Sequence, residues 1–243
     1  MLDDMTVLRD AVAGYRAAAT SAGLDWPAPA TPAPAPPDLV HRLFDVNHVP
    51  EQLTWLQSQG WDSQRLLPDG GLTLPWPSDG DALDDLSLSI GVPFPWRHQL
   101  PLFHFEYLFY TFVLAGDHEG EIWRYEYPPD TWDAVRAAPS LAALFTEWTK
   151  GIEAGAVRLD DSTGWLMVGS GTGNDDDTIR ELAERAPELD PLAFPISMPN
   201  HPLLRTRQAE CGVDPNSVTP DRAPEIMDEL TDEISAIRAS LSV

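Results

Sequence analysis

The sequence predicts an α+β fold: an antiparallel-rich central sheet packed by helices, with a helical, acidic C-terminal extension. Three observations predict it. Leu108–Ala115 (LFYTFVLA) and Glu121–Tyr127 (EIWRYEY) are aromatic and β-branched runs flanking the break Asp117-His118-Glu119-Gly120, the pattern of a hairpin. Leu141, Leu144, Phe145, Trp148 and Ile152 recur at i, i+3, i+4, i+7 and i+11, a single helical stripe. Beyond residue 160 helical patterns prevail and acidic residues are frequent.

The first helix is predicted over Leu2–Ala22, where Met5, Leu8, Val12 and Tyr15 recur at helical spacing. Asp3 or Asp4 can meet its positive end, and Gly23 stops it. Trp26–Pro37 (WPAPATPAPAPP) holds six prolines, which deny backbone donors and fix φ. It reads as a polyproline II spacer of roughly 35 Å. A ligand for a proline-binding groove would carry charged flanks that this repeat lacks.

Pro37 opens a helix with Leu39, Val40, Leu43 and Phe44 on one face. Val49–Gln59 forms another, with Leu53, Trp55 and Leu56 buried and Gly60 as its stop. Asp69-Gly70-Gly71 marks a turn before a short strand, Leu72-Thr73-Leu74. Ser78–Gln99 is irregular and rich in Pro, Gly and Asp, as a surface loop is. It carries an acidic patch (Asp79, Asp81, Asp84, Asp85) and an aromatic-proline patch (Pro93-Phe94-Pro95-Trp96). Pro101–Tyr107 sets Leu102, His104 and Glu106 against Phe103, Phe105 and Tyr107, a period-two strand.

Leu108–Ala115 is apolar on both faces and is expected at the centre of the sheet. On the next strand Trp123, Tyr125 and Tyr127 are expected on the core face, with Ile122, Arg124 and Glu126 opposite. Ser140 caps the striped helix. Gly164–Gly169 adds a last strand. Asn174–Asp177 starts a helix with Ile179, Leu182 and Ala183 inward. Pro187–Pro199 is a loop, and His201-Pro202 opens a helix through Glu210 that Gly212 ends. Asp221–Leu241 closes the chain as an acidic helix, with Ile226, Leu230, Ile234, Ile237 and Leu241 as its packing face.

Composition bounds the function. The 243 residues suit one large domain, or a domain with a smaller appendage. The net charge of −24 argues against nucleic acid and anionic membranes as partners and favours a basic one. No apolar run approaches the ~20 residues of a membrane span. Met1-Leu2-Asp3-Asp4-Met5 is unlike a signal peptide, and Cys211 is the single cysteine, so a cytoplasmic protein is expected.

No motif carries recognisable chemistry. Gly169-Ser170-Gly171-Thr172-Gly173 is followed by Asn174-Asp175-Asp176-Asp177, which would repel a phosphate. Val168 and Thr172 stand where a nucleophile elbow around Ser170 needs glycine. Asp175–Asp177 suits helix capping better than calcium, since no distal Glu completes a hand-like loop. His118-Glu119 lacks the second histidine of a zinc-protease motif. His98, His104 and Glu106 could gather round a metal, although scattered histidines are more often structural groups. Cys211 is expected to be structural, with Glu210 and Asp214 raising its pKa. No catalytic residue, metal or cofactor is therefore assigned.

The central stretch resembles the SUKH superfamily, bacterial immunity proteins together with yeast cell-wall-assembly regulators. Phe109–Leu114 and Gly120-Glu121-Ile122-Trp123 are similar to the family's strand, short turn and Gly-x-apolar-aromatic strand. Trp132, then Ala138-Pro139-Ser140-Leu141, leads into Leu141–Trp148, which resembles the family's closing helix. Pro36-Pro37-Asp38-Leu39 resembles the entry to an earlier family helix. The likeness is good over 98–155, loose over 36–99 and absent after 160. Asn47 is followed by His48 where the family often has Asn-Gly.

The resemblance divides the chain into an N-terminal helix (1–25), an Ala/Pro-rich linker (26–37), a SUKH-like core (38–159) and an extension (160–243). It implies a non-enzymatic immunity protein that occludes a cognate toxin, one whose basic, nuclease-like character the acidic charge would suit. Asp79, Asp81, Asp84, Asp85, Trp96, Asp117 and Glu119 are the candidate contacts, combining charge with an aromatic anchor. Two alternatives stand beside it. One is a regulatory or scaffolding adaptor docking through Asp221–Val243. The other is an enzyme built on His98, His104 and Glu106.

Overall fold

A computed structural model describes residues 2–26, 44, 46–59, 91–105, 108–126, 134–169, 175–199, 201–213 and 223–241. Residues 27–37 of the Ala/Pro spacer, the Leu72–Leu74 strand and the Asp79–Asp85 patch lie outside the described residues. The described chain runs α1 (Met5–Ser21), α2 (Glu51–Gln57), β1 (Gln99–Phe105), β2 (Leu108–Val113), β3 (Ile122–Glu126), β4 (Val135–Ala138), α3 (Leu141–Glu153), β5 (Val157–Asp160), β6 (Trp165–Val168), α4 (Asp175–Arg185), α5 (Pro202–Glu210) and α6 (Ala223–Leu241). Strands β1 to β4 form one antiparallel sheet in sequence order, and β5 pairs with β6 in a second.

The hairpin stands where its sequence pattern places it. Every residue of β2 is buried, as a central strand requires. Leu108 pairs with Glu126 and Phe112 with Ile122, and Gly116 and Gly120 take positive φ (85° and 90°) to turn the chain between them. Gly120 N–H closes the turn on Val113 O at 2.9 Å. On β1 the pairing slips between Pro101 and Phe103, a bulge that moves Leu102 out of simple alternation.

The layer on one face of this sheet is α3, backed by α1. Ser140 Oγ accepts from Ala143 N–H, the predicted cap, and Leu141, Leu144, Phe145 and Trp148 are all buried. Trp148 meets Phe103 and Tyr110 edge-on, with centroids 5.5 and 6.2 Å away, and Tyr15 of α1 leans on Phe145 and Trp148. Asp4 caps α1 through Thr6 N–H, while Asp3 reaches Ala142 N–H at the start of α3. One carboxylate serves its own helix and the other serves a helix distant in sequence.

Strand β3 buries Trp123 and Tyr125 as expected, and its opposite face as well. Arg124 pairs with Tyr110, so Ile122, Arg124 and Glu126 share the α3-facing side, and Trp123 and Tyr125 point to the other. All five residues are buried, so both faces of the strand are core. An Arg and a Glu are rarely buried unless they are paired. Here the chain supplies them with partners. Residues 190–198 cross the sheet as a strap: Phe194 O and Ile196 O accept from the Arg124 guanidinium at 3.0 and 2.7 Å. Glu126 accepts from the Ser197 hydroxyl and from Met198 N–H, and lies 3.4 Å from Arg124. Trp148 Nε1–H and Tyr110 OH both donate to Ala193 O.

The strap also buries Leu192, Ala193, Phe194, Ile196 and Met198 in the main core. Gly151 makes room for it: a Cβ there would stand 2.7 Å from the Phe194 ring and 3.1 Å from a Val157 methyl.

Helix α5 closes the open edge of β4. Gln208 Nε2–H donates to Ala134 O at 3.3 Å, Arg207 to Arg136 O at 3.4 Å, and the Arg136 amide meets the Cys211 sulfur. Burial pushes the Cys211 thiol up, and the thiol donates to Gln208 O. In α4, Leu182 is buried and Ile179 packs against the core, whereas Ala183 is exposed, against expectation.

Candidate partner-binding surface

The segment 91–98 ties the acidic turn of the hairpin to the acidic terminal helix. Phe94 stands edge-on to Trp123 at 5.0 Å and against His118 at 5.4 Å. Two residues on, Trp96 Nε1–H donates to the Glu233 carboxylate of α6 at 3.2 Å. Pro93 faces the end of α5, 3.7 Å from where a Cβ on Gly212 would stand. Trp96 is therefore a half-buried residue engaged by α6.

The turn is built on Glu121. Its carboxylate accepts from His118 Nδ1 at 3.0 Å, from Trp123 Nε1–H at 3.0 Å and from Arg136 at 2.9 Å. A carboxylate only accepts, so these bonds place the His118 proton on Nδ1. Partial burial pushes the Glu121 carboxyl up, but the bonds from Trp123, Arg136 and His118 outweigh it and hold the group below its ordinary value. Asp117 is exposed at the tip, and Glu119 beside it is half-buried. The turn thus offers Asp117 outward from a base held by the Glu121 hydrogen bonds.

Helix α6 carries the larger charge. Glu225, Asp228, Glu229, Asp232 and Glu233 are all exposed, while Ile234 is buried and Ile237 packs against the core. Many carboxylates elsewhere serve the fold: Glu126 holds the strap, Glu181 joins Arg158 and Arg185, and Asp190 and Glu210 hold Arg207. Those contacts also occupy Arg124, Arg158, Arg185 and Arg207. Glu225, Asp228, Glu229 and Asp232 have no ion-pair partner among the described residues. Negative potential consequently collects on the outer side of α6.

The predicted contacts fall into two groups. Trp96, Asp117 and Glu119 lie on or beside segment 91–98, which the structure brings against α6. Asp79, Asp81, Asp84 and Asp85 lie outside the described residues, as do Glu106 and the side chain of His104. Among the described residues no group of three His, Cys, Asp or Glu side chains could hold a metal ion. No described helix is long and apolar enough to cross a membrane. The contact of Phe94 with His118 and the Glu121–Arg136 pair were not legible in the sequence. Arg136 lies on a four-residue strand, VRAA, that has no strand signature of its own.

Compared with family models, with curated proteins and with solved structures, the chain matches none of them.

Proposed function

We propose that this chain is a non-enzymatic binding protein that neutralises a basic partner by covering it, in the manner the SUKH resemblance implies for toxin immunity. The observation that carries the reading is the row of exposed carboxylates on α6 beside the Trp96 segment. Charge of one sign on a helical face raises encounter rates with a basic surface, and a neighbouring aromatic side chain supplies a desolvated anchor. The net charge of −24 reinforces the choice of a cationic partner. A nuclease-like toxin, whose own surface must attract phosphates, has the complementary charge.

Capture of the product of the adjacent reading frame by the tagged full chain tests this. A basic toxin whose activity falls on binding is the expected result. An adjacent product that is captured without loss of any toxic activity favours an adaptor using the same helix. No capture of it contradicts the neutralisation reading.

A further inference from the structure

Helix α6 is built against itself electrostatically. Glu225 faces Asp228 and Glu229 at i+3 and i+4, Asp228 faces Asp232 at i+4, and Glu229 faces Asp232 and Glu233 at i+3 and i+4. Each of these is a like-charge pair on one helix surface, the arrangement that weakens helices. The one cation of the helix, Arg238, stands at neither spacing from any of the five carboxylates. The same helix is held to the body by Ile234 and Ile237 and by the exposed bond from Trp96 to Glu233. Exposed charges are also the ones that salt screens, since the Debye length shrinks from tens of ångströms to a few as ionic strength rises.

We infer that α6 is a charge-strained arm whose helical order and docking over Trp96 tighten when its carboxylates are screened or matched by cations. The device belongs to the chain alone and holds whatever the partner is. Glu229 is its pivot, because it takes part in three of the five repulsions. Replacing it with lysine converts those three into attractions, including a Glu-to-Lys pair at i,i+4 in the favourable direction.

Hydrogen exchange followed by mass spectrometry on the full chain reads this directly, with α3 as the internal reference. Between about 0.02 and 0.5 M sodium chloride, exchange in 223–241 slows about fivefold to tenfold, while α3 changes less than twofold. Glu229→Lys gives the slow exchange already at low salt and removes most of the salt dependence. The inference is overturned if α6 and α3 respond alike, if α6 does not respond, or if Glu229→Lys exchanges as fast as the parent at low salt.

Discussion

Glu121 shows how a single carboxylate in this protein is committed to structure. It ties His118, Trp123 and Arg136 together and thereby joins the hairpin turn to β4. Its folded pKa lies below the ordinary 4.5, so the unfolded chain binds a proton more readily than the folded one. The stability it adds is complete above that ordinary value and is lost as the pH falls through the folded one. Urea denaturation across this acid range checks the point. The parent should lose stability as the pH drops below about 4.5, and Glu121→Gln should lose less over the same interval. Arg124 and Glu126 make a similar point about legibility. Their burial could not be read locally, because most of the groups that satisfy them, main-chain atoms of 194–198 and the Ser197 hydroxyl, lie some seventy residues away in sequence. Periodicity sees residue type along one element, and it does not see a strap arriving from elsewhere.

At the scale of elements, those with a dense apolar signal were legible, the four-residue β6 (WLMV) among them, and the short ones without that signal were not. The hairpin, the α3 stripe with its Ser140 cap, and the stop at Gly23 follow from sequence alone. Strands β4 (VRAA) and β5 (VRLD) are each four residues long, and pairing with a neighbour defines them more than propensity does. Helix α5 is legible as a helix, but its task at the edge of β4 is not, since that rests on Gln208, Arg207 and Cys211 meeting a strand the pattern hides. Gln208→Ala leaves the Ala134 carbonyl buried without this donor. The expected cost is about 1–3 kcal/mol, measured as a lower urea midpoint with an unchanged slope. An unchanged midpoint would show that the edge does not depend on α5 for its hydrogen bonding.

For the whole molecule, the sheet, α1, α3 and the strap share one core, and among the exposed carboxylates those of α6 form a row on one helix. Composition announced an acidic protein, but only the packing separates carboxylates that hold the chain together from those that face outward. The proposed neutralisation of a basic toxin rests on that separation. The most direct test is the salt dependence of binding between the full chain and the adjacent reading frame's product, measured by calorimetry with the parent and Glu229→Lys. Affinity should fall at least tenfold between about 0.05 and 0.5 M salt, and Glu229→Lys should bind more weakly at low salt despite its better-ordered helix. Binding that is indifferent to both salt and this substitution would contradict the account.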